Sequence, residues 1–134
     1  MTARDRIILQ KMVGYAADAQ EYVSNMNFES FMADKKTVSA CAFAIGQIGE
    51  LASNISEETQ QSNDGIPWRS IRGMRNKIVH DYEHVDSAVL WGTITKSLPD
   101  LIRQLDERLE QEAGTLIGDE PDTDEEPEQG MQFN

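Results

Sequence analysis

The chain has 134 residues, which is enough for one domain with its own hydrophobic core and too few for two ordinary ones. Its 24 Asp and Glu residues against 12 Lys and Arg give a net charge of −12, which argues against a general binder of nucleic acids or anionic membranes. The single cysteine excludes an internal disulfide framework, and no apolar stretch approaches the roughly 20 residues that cross a bilayer. Because the first ten residues lack a signal-peptide pattern, we expect a soluble cytoplasmic protein.

The acidic charge is concentrated near the C-terminal end. Residues 119–134 hold seven acids and no base, which leaves residues 1–118 with a net charge of −5. Proline and glycine interrupt this stretch, and it has little apolar surface to bury. We therefore expect a helical domain over residues 1–113 and a disordered acidic tail over residues 114–134. The tail is either simply solvated or a nucleic-acid mimic that folds back onto a basic site.

Apolar residues recur at helical spacing through the first half of the chain. The pattern predicts a first long helix over about Ala3–Met26, a short helical turn at Phe28–Met32 and a second long helix through Val38–Ile55. Gly46 and Gly49 in the second long helix would allow another helix to approach closely.

The helical pattern continues after a polar stretch over residues 56–65. Pro67 suits the first turn of a helix that runs from Trp68 to about Val79. Asp86 then predicts the N-cap of a long amphipathic helix, which Pro99 should kink or split because proline has no N–H to donate. No strand or hairpin pattern occurs, so the sequence predicts an all-α bundle of four or five helices.

The stretch from residue 65 to residue 80 has no acid and carries a third of the basic residues, namely Arg69, Arg72, Arg75 and Lys77. Such a local positive patch can act on an anion at short range even on an acidic protein, because the field of distant charges is screened beyond about 8–10 Å. Arg75 lies on the apolar side of this predicted helix, which indicates an ion pair, a subunit interface or an anion site. A guanidinium that simply extends out to water is the structural alternative.

His80 follows Arg75 by five residues, which places the two about 140° apart on an ideal helix. They converge only if the helix ends before His80, or if two protomers juxtapose their copies across a two-fold axis. Asn76 and His80 share one side of the helix. The spacing therefore favours a composite site.

The segment Arg75–Tyr82, with the sequence RNKIVHDY, resembles the R-x4-H-x-Y motif of HepT-like proteins in the HEPN superfamily. The resemblance extends over roughly residues 4–110 and includes FESF at 28–31, IGE at 48–50, IPW at 66–68, GM at 73–74, VD at 85–86 and LP at 98–99. Several segments in the same order are far more specific than a lone motif.

The resemblance implies a HEPN-like helical bundle that forms a homodimer and acts as a metal-independent endoribonuclease without a cofactor. It further implies the toxin of a type VII-like toxin–antitoxin module, whose partner is a minimal nucleotidyltransferase antitoxin that transfers AMP to Tyr82. Transferred to this sequence, the catalytic pair is Arg75 and His80, and Asn76 is a supporting polar residue. AMP on Tyr82 would add bulk and negative charge where the RNA phosphate should lie.

These residue types suit RNA cleavage without metal. The reaction needs a group that accepts the 2′-OH proton and one that gives a proton to the leaving oxygen, and an imidazole can do either near neutral pH. The planar guanidinium of Arg75 would stabilise the charge that develops on the phosphate. Arg69, Arg72 and Lys77 would hold neighbouring phosphates. In a dimer, one copy of His80 could act as base and the other as acid.

Two other functions compete with this interpretation. Residues 80–84, HDYEH, also match the H-x-x-E-H pattern of inverted zinc peptidases, although they bridge a predicted helix end and no third ligand is evident. More seriously, a HEPN domain can bind a nucleotidyltransferase without cleaving RNA. Tyr82 is followed by Glu83-His84, where members of the family often have an aromatic residue or glycine, and the two acids that flank Tyr82, Asp81 and Glu83, weaken local affinity for anions.

Overall fold

The computed structural model describes residues 1–80 and 86–117; for residues 77, 79, 80 and 114–117 it describes only the backbone. Within these ranges the regular elements are all helical, so the predicted all-α class is confirmed. The helices are α1 (Ala3–Tyr22), α2 (Phe28–Ala33), α3 (Lys35–Ala52), α4 (Glu57–Ser62), α5 (Trp68–His80), α6 (Ser87–Gly92), a π-helical segment (Thr93–Ser97) and α7 (Leu98–Ile117).

The first long helix is shorter than its apolar pattern predicts. Thr2 is its N-cap and accepts a hydrogen bond from the backbone N–H of Asp5 at 2.9 Å. The helix ends at Tyr22 rather than at Met26, because the chain turns at Asn25, whose φ of 68° lies in the left-handed region. Val23 nevertheless stays buried, which explains why the apolar pattern continues past the helix end.

Side-chain caps fix the start of the next two helices. Asn27 and Ser30 form a reciprocal capping box at α2. Asp34 caps α3 by accepting from the backbone N–H of Thr37, and this hydrogen bond holds the pKa of the Asp34 carboxyl below its usual value. Helix α3 therefore begins at Lys35, three residues before the first apolar residue of its stripe.

A short helix, α4, lies in the polar stretch where periodicity predicts none. Ser56 is its N-cap, and Glu57 and Glu58 occupy its first turn. Buried Asp5 of α1 accepts three hydrogen bonds from this turn: from the Ser56 N–H at 3.1 Å, the Ser56 hydroxyl at 2.6 Å and the Thr59 hydroxyl at 2.7 Å. Burial raises the pKa of Asp5, but these hydrogen bonds outweigh it and the net pKa is lowered. The contact joins α4 to α1.

The last predicted helix is irregular just before Pro99. Asp86 caps α6 by accepting from the N–H of Ala88, and the π-helical segment separates α6 from α7. At Leu98 the backbone N–H donates to the carbonyl of Thr93, five residues back, immediately before the proline that cannot donate at all. The irregularity is thus a widened turn within a continuing helix.

Helix α3 packs against both α1 and α5, and α1 packs in turn against α7. The core is formed by the apolar stripes of these helices together with Phe31 of α2. Trp91 packs on Phe31 with ring centroids 5.2 Å apart, and Trp68 is buried, so both tryptophans contribute to packing. Cys41 is also buried, which raises the pKa of its thiol to about 11. No described helix has the length and apolar character that a membrane span needs.

Candidate active site

The predicted functional residues other than Tyr82 lie on α5, whose start is fixed by hydrogen bonds to the preceding loop. Trp68 donates its indole N–H to the carbonyl of Asn63 at 3.1 Å, and the Ile71 N–H pairs with the carbonyl of Pro67 at 3.0 Å. Proline is tolerated there because a first-turn N–H has no partner within the helix. Trp68 and Ile78 are buried in the core on the apolar side of α5, whereas Arg69 and Asn76 are exposed to solvent.

Two glycines of α3 allow α5 to approach closely, as their positions predict. A β-carbon on Gly49 would lie 2.2 Å from Arg75 Cβ and 2.8 Å from the carbonyl oxygen of Ile71. One turn earlier, a β-carbon on Gly46 would be 3.5 Å from Ile78 Cγ2, an ordinary contact. The backbone of α5 at Arg75 is therefore in direct contact with α3 at Gly49, which sets where the Arg75 side chain leaves the helix.

Arg75 forms an ion pair, one of the three situations that its position on the apolar stripe indicates. Its Nε atom lies 2.8 Å from Glu50 Oε1, and the two side chains are 32% and 48% exposed. The Nε–H is shielded from solvent and is not aligned on the carboxylate as a hydrogen bond, so the attraction is electrostatic. Nη1 donates to Oδ1 of Asn76 at 2.8 Å. These two contacts orient the guanidinium and involve only two of its five N–H groups.

Arg75 and Glu50 lie at one end of an open groove of about 660 Å³ between α3 and α5. One face of α3 lines it with Ser39, Ala42, Phe43, Gly46, Gln47 and Glu50, and α5 contributes Arg75 and Ile78. Its lining is mixed: Ala42, Gly46 and Ile78 are buried, Gln47 is half-buried, and Ser39, Phe43 and Glu50 are exposed. Its volume lies within the range of ligand pockets, although it is more open to solvent than such pockets are.

The other predicted basic residues differ in their surroundings. Arg69 is exposed to solvent, as a phosphate-binding residue should be. Arg72 is half-buried and donates from Nη1 to the side-chain carbonyl of Gln60 at 2.9 Å, while Gln60 donates to the carbonyl of Ile55 at 3.0 Å. Arg72 therefore also joins α5 to α4. The side chain of Lys77 lies outside the described residues.

His80 and Tyr82 carry the remaining predictions. The backbone of α5 includes His80 as its last residue, so the helix does not end before the histidine. The side chain of His80 and the whole of residues 81–85, Tyr82 included, lie outside the described residues. The same holds for the H-x-x-E-H segment. Among the side chains that are described, no three metal-ligating groups cluster.

Glu50 and Gln60 are two site residues that the sequence pattern does not single out. By helical spacing Glu50 is expected to be a surface charge, and only the resemblance suggests more; in the structure it is the partner of Arg75. The signal in the sequence is the position of Glu50 directly after Gly49, the glycine that contacts Arg75 in the structure. Gln60 lies in a stretch that periodicity leaves without structure, so no sequence signal connects it to Arg72.

Comparison with known proteins identifies the family of the chain. A family model described as ribonuclease HepT-like matches residues 12–108. A "Putative RNase" of Caldanaerobacter subterraneus subsp. tengcongensis is 35% identical over 92 residues, which cover 69% of this chain and 82% of that protein. A "Probable ribonuclease HepT" of Thermococcus cleftensis is 39% identical over 82 residues, 61% of this chain and 74% of the relative. No solved structure matches.

A more distant relative extends the similarity. A "Putative RNase" of Methanocaldococcus jannaschii is 26% identical over 102 residues, which cover 76% of this chain and 84% of that protein. The family match includes all of α3 and α5, the two helices that form the groove and hold Arg75. The resemblance drawn from the segment 75–82 is therefore confirmed, and the chain belongs to the HepT-like ribonuclease family of the HEPN superfamily.

Proposed function

We propose that this protein is a metal-independent endoribonuclease in which Arg75 and His80 form the catalytic pair. The observation that carries the proposal is the orientation of Arg75: Glu50 and Asn76 contact two sides of its guanidinium at a groove open to solvent. An oriented planar donor group is what a developing phosphorane charge requires. Helix α5 adds no acid that would repel the phosphate.

The proposed reaction breaks the RNA chain by internal displacement. An imidazole of His80 accepts the 2′-OH proton, O2′ forms a bond to phosphorus, and the bond from phosphorus to O5′ breaks. A second imidazole gives its proton to O5′, which leaves a 2′,3′-cyclic phosphate and a free 5′-hydroxyl. Because each chain has one motif histidine, we infer that the two imidazoles come from two copies of the chain in a homodimer with the site at or near the interface.

The supporting residues act on the phosphates around the cleaved bond. Asn76 holds Nη1 of Arg75 and leaves its own amide N–H groups for the substrate. Exposed Arg69, and Lys77 about two turns further along α5, would neutralise adjacent phosphates. Arg72 uses one donor on Gln60 and has others for RNA. Each such contact should appear as a salt-dependent contribution to affinity.

Cleavage of single-stranded RNA by the purified protein in excess EDTA tests this function. We expect products with 2′,3′-cyclic phosphate ends, and no cleavage at a position where the ribose is replaced by 2′-deoxyribose. Arg75→Ala and His80→Ala should lose activity while keeping the helical circular dichroism of the wild type. Arg103→Ala is the matched control, because it removes an arginine that pairs with Asp100 and Glu107 on the surface of α7. Cleavage retained by both motif variants would contradict the assignment, and activity restored by zinc would favour the peptidase-like pattern.

The wider biological role that we propose is that of a cytoplasmic toxin in a type VII-like toxin–antitoxin module. A minimal nucleotidyltransferase antitoxin would silence it by transferring AMP to the hydroxyl of Tyr82. Co-expression with such an enzyme should raise the intact mass by whole AMP units. Tyr82→Phe should abolish the increase, while Tyr22→Phe, which alters an exposed tyrosine of α1, should not. An active complex without the mass increase would contradict the modification.

A non-catalytic binding subunit of a nucleotidyltransferase is the second candidate. Two observations support it. Glu50 offsets the charge of Arg75, and the acids Asp81 and Glu83 flank Tyr82 in the sequence. These three carboxylates weaken the attraction of the site for phosphate. A stable complex with the nucleotidyltransferase combined with no cleavage of any RNA would favour this candidate over the enzyme.

A further inference from the structure

Phe43 is the most exposed large apolar side chain in the described part of the protein, and neither the core nor the proposed cleavage step uses it. Its side chain is 58% exposed and lines the groove that ends at Arg75. Tyr15 of α1 supports the ring edge-on, with ring centroids 6.2 Å apart and an interplanar angle of 75°. The ring is therefore held from one side while more than half of it faces solvent.

The charges of the groove favour a neutral ligand over a second phosphate. Among its lining residues, Glu50 and Arg75 are the charged ones, and at 2.8 Å they offset each other. The exposed or half-buried lining residues include groups that pair with hydrogen-bonding edges: the Gln47 amide, the Ser39 hydroxyl and the second carboxylate oxygen of Glu50. The buried lining residues Ala42, Gly46 and Ile78 are apolar.

We propose that this groove binds an unpaired nucleobase of the RNA next to the phosphate held by Arg75. The base would stack on Phe43 and place its polar edge against Gln47 and Glu50. Aromatic stacking combined with amide and carboxylate contacts to base edges is how proteins recognise unpaired RNA. A second copy of the chain is the competing occupant, but the polar side chains beside Phe43, namely exposed Ser39, half-buried Gln47 and exposed Glu50, suit the polar edge of a base better than an apolar subunit interface. The proposal rests on RNA being the substrate, as proposed above.

Binding of short 2′-O-methyl RNA oligonucleotides tests the site, since these lack the attacking hydroxyl and stay intact. Phe43→Ala should raise the dissociation constant about 5- to 150-fold, the effect of losing about 1–3 kcal/mol of stacking. Phe43→Trp should retain the affinity. Tyr22→Ala, which removes a 44% exposed aromatic residue that does not line the groove, should leave it unchanged.

Oligonucleotides with abasic positions separate base binding from phosphate binding. Phe43→Ala and wild type should bind a fully abasic oligonucleotide equally well, because only the stacking partner differs. Equal affinity of Phe43→Ala and wild type for the intact oligonucleotide would overturn the proposal, and so would an equal loss with the abasic one.

A changed molar mass of Phe43→Ala in light scattering would assign the ring to an interface between copies instead. If the wild type neither binds nor cleaves RNA, the proposed function fails as well; if it cleaves normally and only the Phe43 effects are missing, the nucleobase site alone is wrong.

Discussion

Gly49→Ala tests the contact between α3 and α5 on which the position of Arg75 depends. The added β-carbon would lie 2.2 Å from Arg75 Cβ and 2.8 Å from the Ile71 carbonyl oxygen, whereas carbon atoms in contact are about 3.5–4.0 Å apart. Both neighbours are fixed to the α5 backbone, so rotation of a side chain cannot relieve the clash. The two helices must therefore separate locally by more than about 1 Å.

The substitution has two opposing effects on the free energy of unfolding. Alanine is up to about 1 kcal/mol more favourable than glycine inside a helix. Overpacking of a close contact costs about 1–3 kcal/mol, and here it also moves Ile78 away from Gly46. When the full gain is realised, we expect a net loss of up to about 2 kcal/mol. Because a displacement of 1 Å can cost about 100-fold in rate, RNA cleavage should fall by about that factor.

Urea unfolding and initial cleavage rates measure the two effects, with two matched controls. Gly46→Ala lies one turn away in the same helix and gains only an ordinary contact at 3.5 Å. Gly73→Ala lies in α5 with no neighbouring atom within 4 Å. Both controls should be neutral or stabilising by up to about 1 kcal/mol. If Gly49→Ala is as stable and as active as Gly46→Ala, the close contact at Arg75 does not exist and the orientation derived from it is wrong.

Three further substitutions or treatments test the elements around the site. Asp5→Asn should lower the free energy of unfolding by about 1–3 kcal/mol at neutral pH. In urea titrations this loss should vanish as the pH falls below 3.8, because protonation of the wild-type carboxyl removes the hydrogen bonds that lower the Asp5 pKa in the folded state. A loss that does not depend on pH would contradict this. Gln60→Ala should lower the free energy of unfolding by about 0.5–1.5 kcal/mol, because it removes the acceptor of the Arg72 hydrogen bond. Gln61→Ala, at an exposed neighbour in α4, should change it by less than about 0.5 kcal/mol. Equal effects of the two substitutions would mean that the contact with Arg72 contributes nothing to stability. Cys41, with a pKa of about 11, should react with a thiol reagent at pH 8 only after unfolding in urea, and rapid labelling of the native protein would show that the core around it is open.

The sequence was sufficient for features that depend on local periodicity and on single residues with fixed backbone properties. The four long apolar stripes correspond to α1, α3, α5 and the α6–α7 region, and the last of these is irregular just before Pro99. The glycines of α3 also predict a close helix contact, which forms at Gly49. Each of these signals lies within one turn or one stripe, where the chain itself fixes the neighbours.

Other features depend on residues that are distant in sequence. Helix α4 has no apolar stripe, and its stability comes from Asp5, which lies more than 50 residues away. The pairing of Glu50 with Arg75 joins two helices whose mutual rotation no periodicity defines. For the same reason, the pattern shows Arg72 as a free cation although it contacts Gln60. Local rules cannot predict such tertiary contacts, because they depend on how the helices pack.

The hydrogen bonds between Asp5 and α4 also bear on the order in which the protein folds. A helix of six residues is far too short to persist alone in water, so α4 should form only when α1 is already in place. The backbone amides of α4 and the first turn of α1 should then lose their protection against hydrogen exchange together, as one cooperative unit. Gln60 of α4 accepts a hydrogen bond from Arg72 of α5. This hydrogen bond can therefore form only after Asp5 of α1 has bound the start of α4. We therefore expect Arg72 to reach its final position only after the first helix has docked.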